Sequence, residues 1–263
     1  MKISHLVLCL SIILNSNIFS QVDDISPDRP GAGNGSALMD QGLIQVELGG
    51  SIEKVTEFNS PIGLFKIFSH SYPSILLRYG VTGNVEVRLG AEYLQEELSN
   101  IESSNPNTTG FSPISVGTKI KLFREKGLLP ETAFLFTVSV PFKKNSPFQS
   151  DYIGSEFQLA MSNTVNKRFS LTYNIGGSWG AGDPGVTGFY SLSLGANLVK
   201  KLAAFVEIYG YLPEKNSPDH RFDGGFTYMI LKNLQADISG GLGISEKSPE
   251  YFVGLGISVR LPE

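Results

Sequence analysis

The sequence predicts an all-β fold, a 12-stranded antiparallel transmembrane β-barrel of the outer-membrane type. First, apolar and polar residues alternate in about twelve segments after Gly42, and a period of two gives a strand one apolar and one polar face. Second, the connections between these segments alternate between mostly longer and mostly shorter. Third, no charged residue falls at an outward position in the middle of the clear strands, where Lys or Arg would cost roughly 2–4 kcal/mol. These features favour lipid outside and a polar lumen inside.

Composition excludes several other classes of protein. Hydrophobic residues make up 41% of the 263 residues, and the only long apolar run is N-terminal, which argues against a bundle of membrane helices. The 29 glycines suit a curved sheet, and the net charge of −4 argues against nucleic acid as a partner. The only cysteine, Cys9, lies in the N-terminal apolar stretch. The mature chain is therefore expected to lack disulfides and cysteine metal sites.

Three segments are expected along the chain. Residues 1–20 form a secretory signal peptide, because Lys2 precedes an apolar core that is too short to span a bilayer. Residues 21–41 have no periodicity and contain two Pro and three Gly, so they should form an extended arm on the periplasmic side or inside the barrel mouth. Residues 42–263 form the barrel, which export would deliver to the outer membrane of a Gram-negative bacterium.

Each strand is identified by its alternation. In the first, Ile44 and Val46 face outward while Gln45 and Glu47 face inward. The second strand is clear only in its second half, and the ninth is the least amphipathic. The clear parts of the predicted strands cover roughly residues 42–53, 74–79 (the second half of the second strand, after an irregular first half that contains Pro73), 85–93, 114–122, 133–140, 157–162, 169–179, 190–198, 205–211, 222–230, 234–245 and 251–261.

The connections predict the orientation of the barrel. With the first strand rising from the periplasm, the longer segments become outer loops and the shorter ones become inner turns, as in outer-membrane barrels. The outer loops would cover roughly 56–64, 98–112, 143–153, 181–187, 213–220 and 246–249. The inner turns would lie near 82–84, 124–130, 166–168, 199–201 and 231–232.

Charged residues on the inward faces are the candidate functional residues. They either form an ion-pair ladder that fixes strand register and closes the pore, or line a path that selects a solute. Twelve strands give a backbone radius of about 12 Å, so a narrow conduit is expected rather than a wide porin. The candidate lumen-lining residues are Glu47, Arg78, Glu86, Arg88, Glu92, Lys119, Lys121, Glu207, Asp237 and Arg260.

Catalysis receives little support from the sequence. The only histidines are His5, His70 and His220, and His5 would leave with the signal peptide. No serine stands at a recognisable spacing from either remaining histidine, and two separated histidines make a poor metal site. We therefore predict no catalytic residues, no metal, no cofactor and no enzymatic activity.

Several motifs resemble a known family. The Asp28-Arg29-Pro30 element precedes G-L-I-Q-V-E-L-G at residues 42–49, and L-R-Y-G-V-T and S-V-G-T-K follow at residues 77–82 and 115–119. This pattern resembles an outer-membrane transporter family whose members are named "MetA-pathway of phenol degradation" proteins. The resemblance implies a barrel that passes small molecules, hydrophobic or aromatic ones among them. The chain departs from many barrels by ending in R-L-P-E rather than in Phe or Trp.

Three hypotheses about function follow. The first is a passive outer-membrane channel for a small solute, and the second is a structural or adhesive barrel with a plugged lumen. The third is a soluble lipocalin-like carrier, which the uncharged outward belt disfavours. The expected partners are outer-membrane lipid and a small solute whose identity the sequence leaves open.

Overall fold

The computed structural model describes residues 24–60, 63–100, 107–143, 146–180 and 185–262. The predicted signal peptide, residues 1–20, lies outside the described residues. Within these ranges the regular structure consists of strands. No helix in the described ranges is long and apolar enough to cross a bilayer.

Thirteen strands follow one another along the described chain. Their bounds are β1 Ile44–Ser60, β2 Gly63–Thr82, β3 Val85–Asn100, β4 Asn107–Phe111, β5 Ile114–Phe123, β6 Glu131–Val140, β7 Gly154–Thr164, β8 Phe169–Trp179, β9 Val186–Val199, β10 Leu202–Pro213, β11 Asp219–Leu231, β12 Leu234–Gly243 and β13 Tyr251–Leu261.

The strands close into a single antiparallel barrel. Apart from β4 and β5, consecutive strands pair with each other, and β1 also pairs with β13, so that Gln45 lies opposite Arg260 and Glu47 opposite Ser258. β4 and β5 both pair with β3 and together make one crossing, interrupted at residues 112–113. The barrel therefore has twelve spans, which confirms the predicted fold class.

The first two hairpins extend further outward than predicted. β1 continues to Ser60 and β2 begins at Gly63, so the predicted loop at 56–64 is largely paired strand. Likewise β3 runs to Asn100 and β4 occupies Asn107–Phe111, inside the predicted loop at 98–112. These two loop predictions were wrong. Apolar alternation marks only the part of a strand that has lipid on one side, whereas backbone pairing continues where both faces meet water.

The weak pattern in the second strand has a local cause. The register of β2 against β3 shifts between Ser71 and Ser74, and its register against β1 shifts between Gly49 and Ser51. Pro73 lies in this bulge, where the missing proline N–H breaks no ladder bond. The irregular residues therefore interrupt the alternation without ending the strand.

The barrel is apolar outside and polar inside. Leu255 is 64% exposed and Ile175 is 58% exposed on the outer face. By contrast, Arg78 and Lys119 are at most 1% exposed on the inner face, and they are among the largest fully buried side chains. Buried charges require partners, and the arm that precedes the barrel could supply them only if it lies inside the lumen.

Residues 24–42, called the arm from here on, lie inside the barrel. The Ile25 amide donates to the Lys232 carbonyl in the turn between β11 and β12 at 2.9 Å. The Gly42 amide donates to the Gly80 carbonyl near the end of β2 at 2.8 Å. Both ends of the arm therefore lie at the end of the barrel with the short turns, which is the periplasmic end in outer-membrane barrels. The middle of the arm reaches the opposite wall of the lumen.

Candidate functional site

The Asp28 carboxylate is the charged centre of the site. Its Oδ2 lies 2.6 Å from Nη1 of Arg88 and 3.6 Å from Nη1 of Arg78, and its Oδ1 lies 3.2 Å from Nζ of Lys119. Asp28 Oδ1 also accepts the Gly35 amide at 3.1 Å, which folds the arm back on itself. One arm side chain thus joins three cations from β2, β3 and β5.

These cations determine the ionisation of Asp28. Burial alone would raise the pKa of Asp28, but the charges of Arg78, Lys119 and Arg88 act in the opposite direction. They hold the pKa of Asp28 well below its ordinary value of 3.8. Asp28 therefore stays anionic throughout the neutral and mildly acidic range.

Arg78 connects the barrel wall to the N-terminal and C-terminal parts of the arm. Its guanidinium lies 3.0 Å from Glu47 on β1 and 2.8 Å from Glu86 on β3. The same group donates to the carbonyl oxygens of Ser26 at 3.0 Å and Ala37 at 3.3 Å. A planar guanidinium with five N–H donors suits such a junction.

Glutamates of the wall accept backbone amides of the arm. Glu47 accepts the amide of Asp28 at 3.2 Å and that of Arg29 at 3.3 Å. Glu86 accepts the amide of Met39 at 2.9 Å. Because the arm has no regular secondary structure, its buried amides depend on these carboxylates for hydrogen bonds.

The middle of the arm is bound to the far wall. Glu207 of β10 accepts the amides of Ala32 at 2.7 Å and Gly33 at 3.1 Å. Asn34 donates from Nδ2 to Oε1 of Gln158 on β7 at 2.6 Å. The arm is therefore attached on opposite sides of the lumen.

Arg29 binds beside the β1–β13 junction. Its Nη2 lies 3.3 Å from Oδ1 of Asp237 and donates to the Leu255 carbonyl at 3.0 Å. A Cβ at Gly49 or at Gly256 would overlap the guanidinium. These two glycines therefore leave the space that Arg29 occupies.

Three of the ten predicted lumen residues make other contacts. Glu92 accepts the Ser71 hydroxyl within the bulged region. Lys121 lies 2.9 Å from Glu131, and Arg260 is buried on the lumenal face of β13. The other seven, Glu47, Arg78, Glu86, Arg88, Lys119, Glu207 and Asp237, contact the arm. Pro30 of the predicted N-terminal motif lies within the arm, next to Arg29.

Sequence reasoning missed several residues of the site. Glu131 accepts the Ser36 hydroxyl at 2.8 Å, and Gln158 binds Asn34. Glu156 lines the space that remains in the lumen. Gln158 lies in the predicted strand at 157–162, but the sequence carried no signal for its partner, because the arm has no period that shows which way each residue points.

Open space remains on the outer side of the arm. Two cavities of about 240 Å³ each share Asn34 and Glu156 in their walls. Ser178 and Thr187 of the first cavity, and Ser139 of the second, stand near the outer ends of their strands. The described arm therefore fills the lower lumen and leaves a vestibule, defined as these two cavities, above it.

The rings of the two remaining histidines contact a tyrosine and a glutamate, while the backbone of His220 contacts the hydroxyls of Ser245 and Ser248. The His220 ring is 2.9 Å from the Tyr190 hydroxyl, and Nε2 of His70 is 4.0 Å from Glu97. In the part of the chain that the structure describes, no group of three or more His, Asp or Glu side chains could hold a metal ion. In the described structure the ring of His220 thus contacts Tyr190, and that of His70 contacts Glu97.

A closed antiparallel barrel with an apolar exterior and a charged interior defines the class of outer-membrane β-barrels. A family model described as "Putative MetA-pathway of phenol degradation" matches residues 27–261, and the chain belongs to this family. The resemblance noted in the sequence is thereby confirmed, and the match includes the Asp28-Arg29-Pro30 motif of the arm. No curated protein matches the sequence.

Solved structures share the fold at low sequence identity. The COG4313 outer membrane channel from Pseudomonas putida F1 is 11% identical, with a TM-score of 0.66 over 89% of this chain and 100% of that chain. The transport unit of the Escherichia coli autotransporter AIDA-I is 8% identical, with a TM-score of 0.54 over 99% and 97%. The KdgM porin in complex with disordered oligogalacturonate is 9% identical, with a TM-score of 0.51 over 82% and 98%. At these identities the likeness establishes the fold alone.

Proposed function

We propose that the protein is a passive outer-membrane channel for small solutes, which its own arm closes and which opens when the arm shifts. One observation carries the proposal: seven of the ten predicted lumenal charges contact the arm. The charges that would otherwise line a conduit hold a segment of the same chain across it.

The type of contact supports a movable closure. The arm is held by ion pairs and hydrogen bonds, and the only cysteine of the chain, Cys9, is not part of it. Such contacts exchange with water at modest net cost, because each lost protein–protein bond is replaced by hydration. The vestibule above the arm then forms the outer half of the path.

The apolar outer belt supports residence in lipid. Leu255, Ile175 and their outward neighbours would be solvated by acyl chains, and the export signal predicted at residues 1–20 would deliver the chain to the outer membrane. The family resemblance suggests a hydrophobic or aromatic solute. The rings of Phe189 and Tyr211 in the vestibule wall are compatible with an aromatic one.

A second candidate is a structural or adhesive barrel with a permanently plugged lumen. The burial of Arg78 and Lys119, each at most 1% exposed, favours it. Undocking the arm would leave these cations and their glutamate partners to be solvated again. The two candidate functions differ in whether the arm ever undocks from the lumen.

A reversible disulfide between the arm and the barrel wall distinguishes the channel from the plugged barrel. A Cβ at Gly33 would overlap the Ser191 side chain, so Gly33→Cys with Ser191→Cys brings two thiols within disulfide range. In planar bilayers we expect low conductance from the oxidised double variant and higher conductance after reduction, whereas Ser191→Cys alone and Gly33→Cys alone should each conduct equally in both redox states, the latter showing how far the substitution itself displaces the arm. Equal conductance in both redox states would show that the arm is not the gate. Absence of conductance from every protein, the unmodified one included, would favour the plugged barrel.

A further inference from the structure

Glu156 differs from the buried lumenal carboxylates because its side chain is exposed to the vestibule. It lies on β7 between Thr137 of β6 and Ser178 of β8, and it lines both cavities of the vestibule. Within the described residues, no ion pair or hydrogen bond occupies its carboxylate, whereas Glu47, Glu86 and Asp28 are engaged by arm or wall groups. An exposed carboxylate in a confined space attracts cations.

The cation nearest the arm in the vestibule wall is already neutralised. Arg88 lines the second cavity, but its Nη1 lies 2.6 Å from Asp28 and its Nη2 donates to Asn34 at 3.2 Å. An anionic solute would have to compete with Asp28 for this guanidinium. Arg88 therefore offsets the charge of Glu156 only in part.

The outer mouth is also acidic. Arg221 is shared by two carboxylates, Glu53 at 2.9 Å and Asp219 at 2.7 Å. Lys54 and Glu250 form a balanced pair at 2.6 Å. The groups along the described path from mouth to arm thus carry an excess of negative charge, which raises the local concentration of cations.

Aromatic rings form one wall of the vestibule. Phe189 and Tyr211 line the first cavity with ring centroids 5.4 Å apart and an interplanar angle of 40°. Arg221 lies over the Tyr211 ring, 5.8 Å from its centroid, so one face of this ring is already covered by a protein cation. A second ring could pack against this pair in an offset or edge-to-face arrangement.

Charge, rings and size together define a ligand class. A cavity of about 240 Å³ suits a molecule with a single ring rather than a larger ligand. We propose that the vestibule is a binding site for small aromatic cations, in which Glu156 selects the positive charge and Phe189 and Tyr211 receive the ring. The proposal rests on the channel function proposed above and names its solute class.

Three probes of similar shape test this selectivity. Benzylammonium, benzyl alcohol and benzoate differ mainly in charge, and each is added from the loop side at low ionic strength, where screening is weak. We expect benzylammonium to reduce the potassium current at lower concentrations than benzyl alcohol, and benzoate to have no effect. Equal potency of all three probes would overturn the proposal.

Substitutions assign the effect to named residues. Glu156→Gln removes the charge and keeps the shape, and we expect benzylammonium to act about five- to tenfold more weakly, as for the loss of one close charge contact. Benzyl alcohol should be unaffected by Glu156→Gln, while Tyr211→Leu should weaken both probes. Glu246→Gln, which removes the same charge from an exposed loop, is the control. Unchanged benzylammonium block in Glu156→Gln would overturn the role of Glu156.

Binding measurements can show whether the proposed binding site fails independently of the proposed channel function. Calorimetric titration of benzylammonium into unmodified protein and Glu156→Gln measures the site without requiring conductance. Binding that Glu156→Gln weakens, in a protein that never conducts, would keep the site and refute the channel. Conductance without any such binding would keep the channel and refute the site.

Discussion

The carboxylate of Asp28 lies 2.6 Å from the guanidinium of Arg88, although 60 positions separate the two residues in the sequence. This ion pair joins the arm to β3, and Lys119 and Arg78 reinforce it from the neighbouring strands. The buried charges of the barrel interior are therefore satisfied largely by a segment that belongs to no strand.

Neutralising Asp28 should loosen the arm. Asp28→Asn removes the charge shared by Arg88, Lys119 and Arg78, a loss of about 1.5–3 kcal/mol for charged hydrogen bonds, or roughly ten- to hundredfold more undocked arm. Single-channel recordings should show a matching rise in open probability. Asp24→Asn, at an exposed position four residues earlier, is the matched control and should behave like the unmodified protein.

The docking of the arm should depend on pH in a defined direction. The docked pKa of Asp28 lies well below the ordinary value of 3.8, so the stabilisation is fully present above pH 3.8 and is lost as pH falls below it. Open probability should stay level from pH 7 to 5 and rise towards pH 3. The same titration of Asp28→Asn isolates this group, because the rise specific to Asp28 should vanish. An identical rise in the variant would contradict the assignment.

Two glycines of the arm should tolerate substitution unequally. A Cβ at Gly33 would overlap Ser191 and approach Asn174 to 2.7 Å, whereas a Cβ at Gly35 would meet only Asp28, at an ordinary 3.6 Å. Gly33→Ala should displace the middle of the arm and speed hydrogen exchange of the arm amides, measured by mass spectrometry. Gly35→Ala should leave the exchange near that of the unmodified protein. Equal protection in both variants would refute this close approach.

Removing Arg78 should destabilise the barrel itself. Arg78→Met leaves Glu47 and Glu86 buried without their shared cation, a change that typically costs about 3–5 kcal/mol. Unfolding in urea, followed through the fluorescence of the single tryptophan, Trp179, should show the loss. Arg124→Met, at an exposed turn position, serves as the control.

A charge-conserving variant keeps the Arg78 prediction testable if the methionine variant does not fold. Arg78→Lys retains the charge but loses the branched guanidinium that reaches the Ser26 and Ala37 carbonyls. Its stability should therefore fall between that of the unmodified protein and that of Arg78→Met. Stability equal to that of the unmodified protein in both variants would contradict the central role of Arg78.

One strand offers a matched test of facing. Ile175 of β8 is 58% exposed on the outer face, while Ser178 on the same strand lines the vestibule. Ile175→Arg should cost roughly 2–4 kcal/mol near the bilayer midplane and slow insertion into liposomes, because lipid cannot solvate the charge. Ser178→Arg should insert normally, as its side chain meets lumenal water. Similar insertion of both variants would reverse the facing assigned to β8.

The sequence allowed the inward charges to be predicted, but not the partners that they bind. The ten charges could be named as inward from the period of two, and seven of them contact the arm. Their partners could not be named, because residues 24–42 lack any period, and an interaction such as Arg29 with Asp237 spans 208 positions. Glu156 was overlooked because only the folded cavities distinguish it from other polar strand residues.

The sequence was sufficient to predict a twelve-strand barrel with an apolar exterior. Because lipid lies on one side of each strand and water on the other, apolar and polar side chains must alternate along it. This alternation involves neighbouring residues only, so it can be recognised in the sequence. The tertiary structure was needed to show that the arm lies inside the barrel and that Asp28, Arg78 and Glu207 hold it there. These contacts join distant segments around a closed wall, and the pairing of buried charges depends on distances that exist only once the barrel is closed.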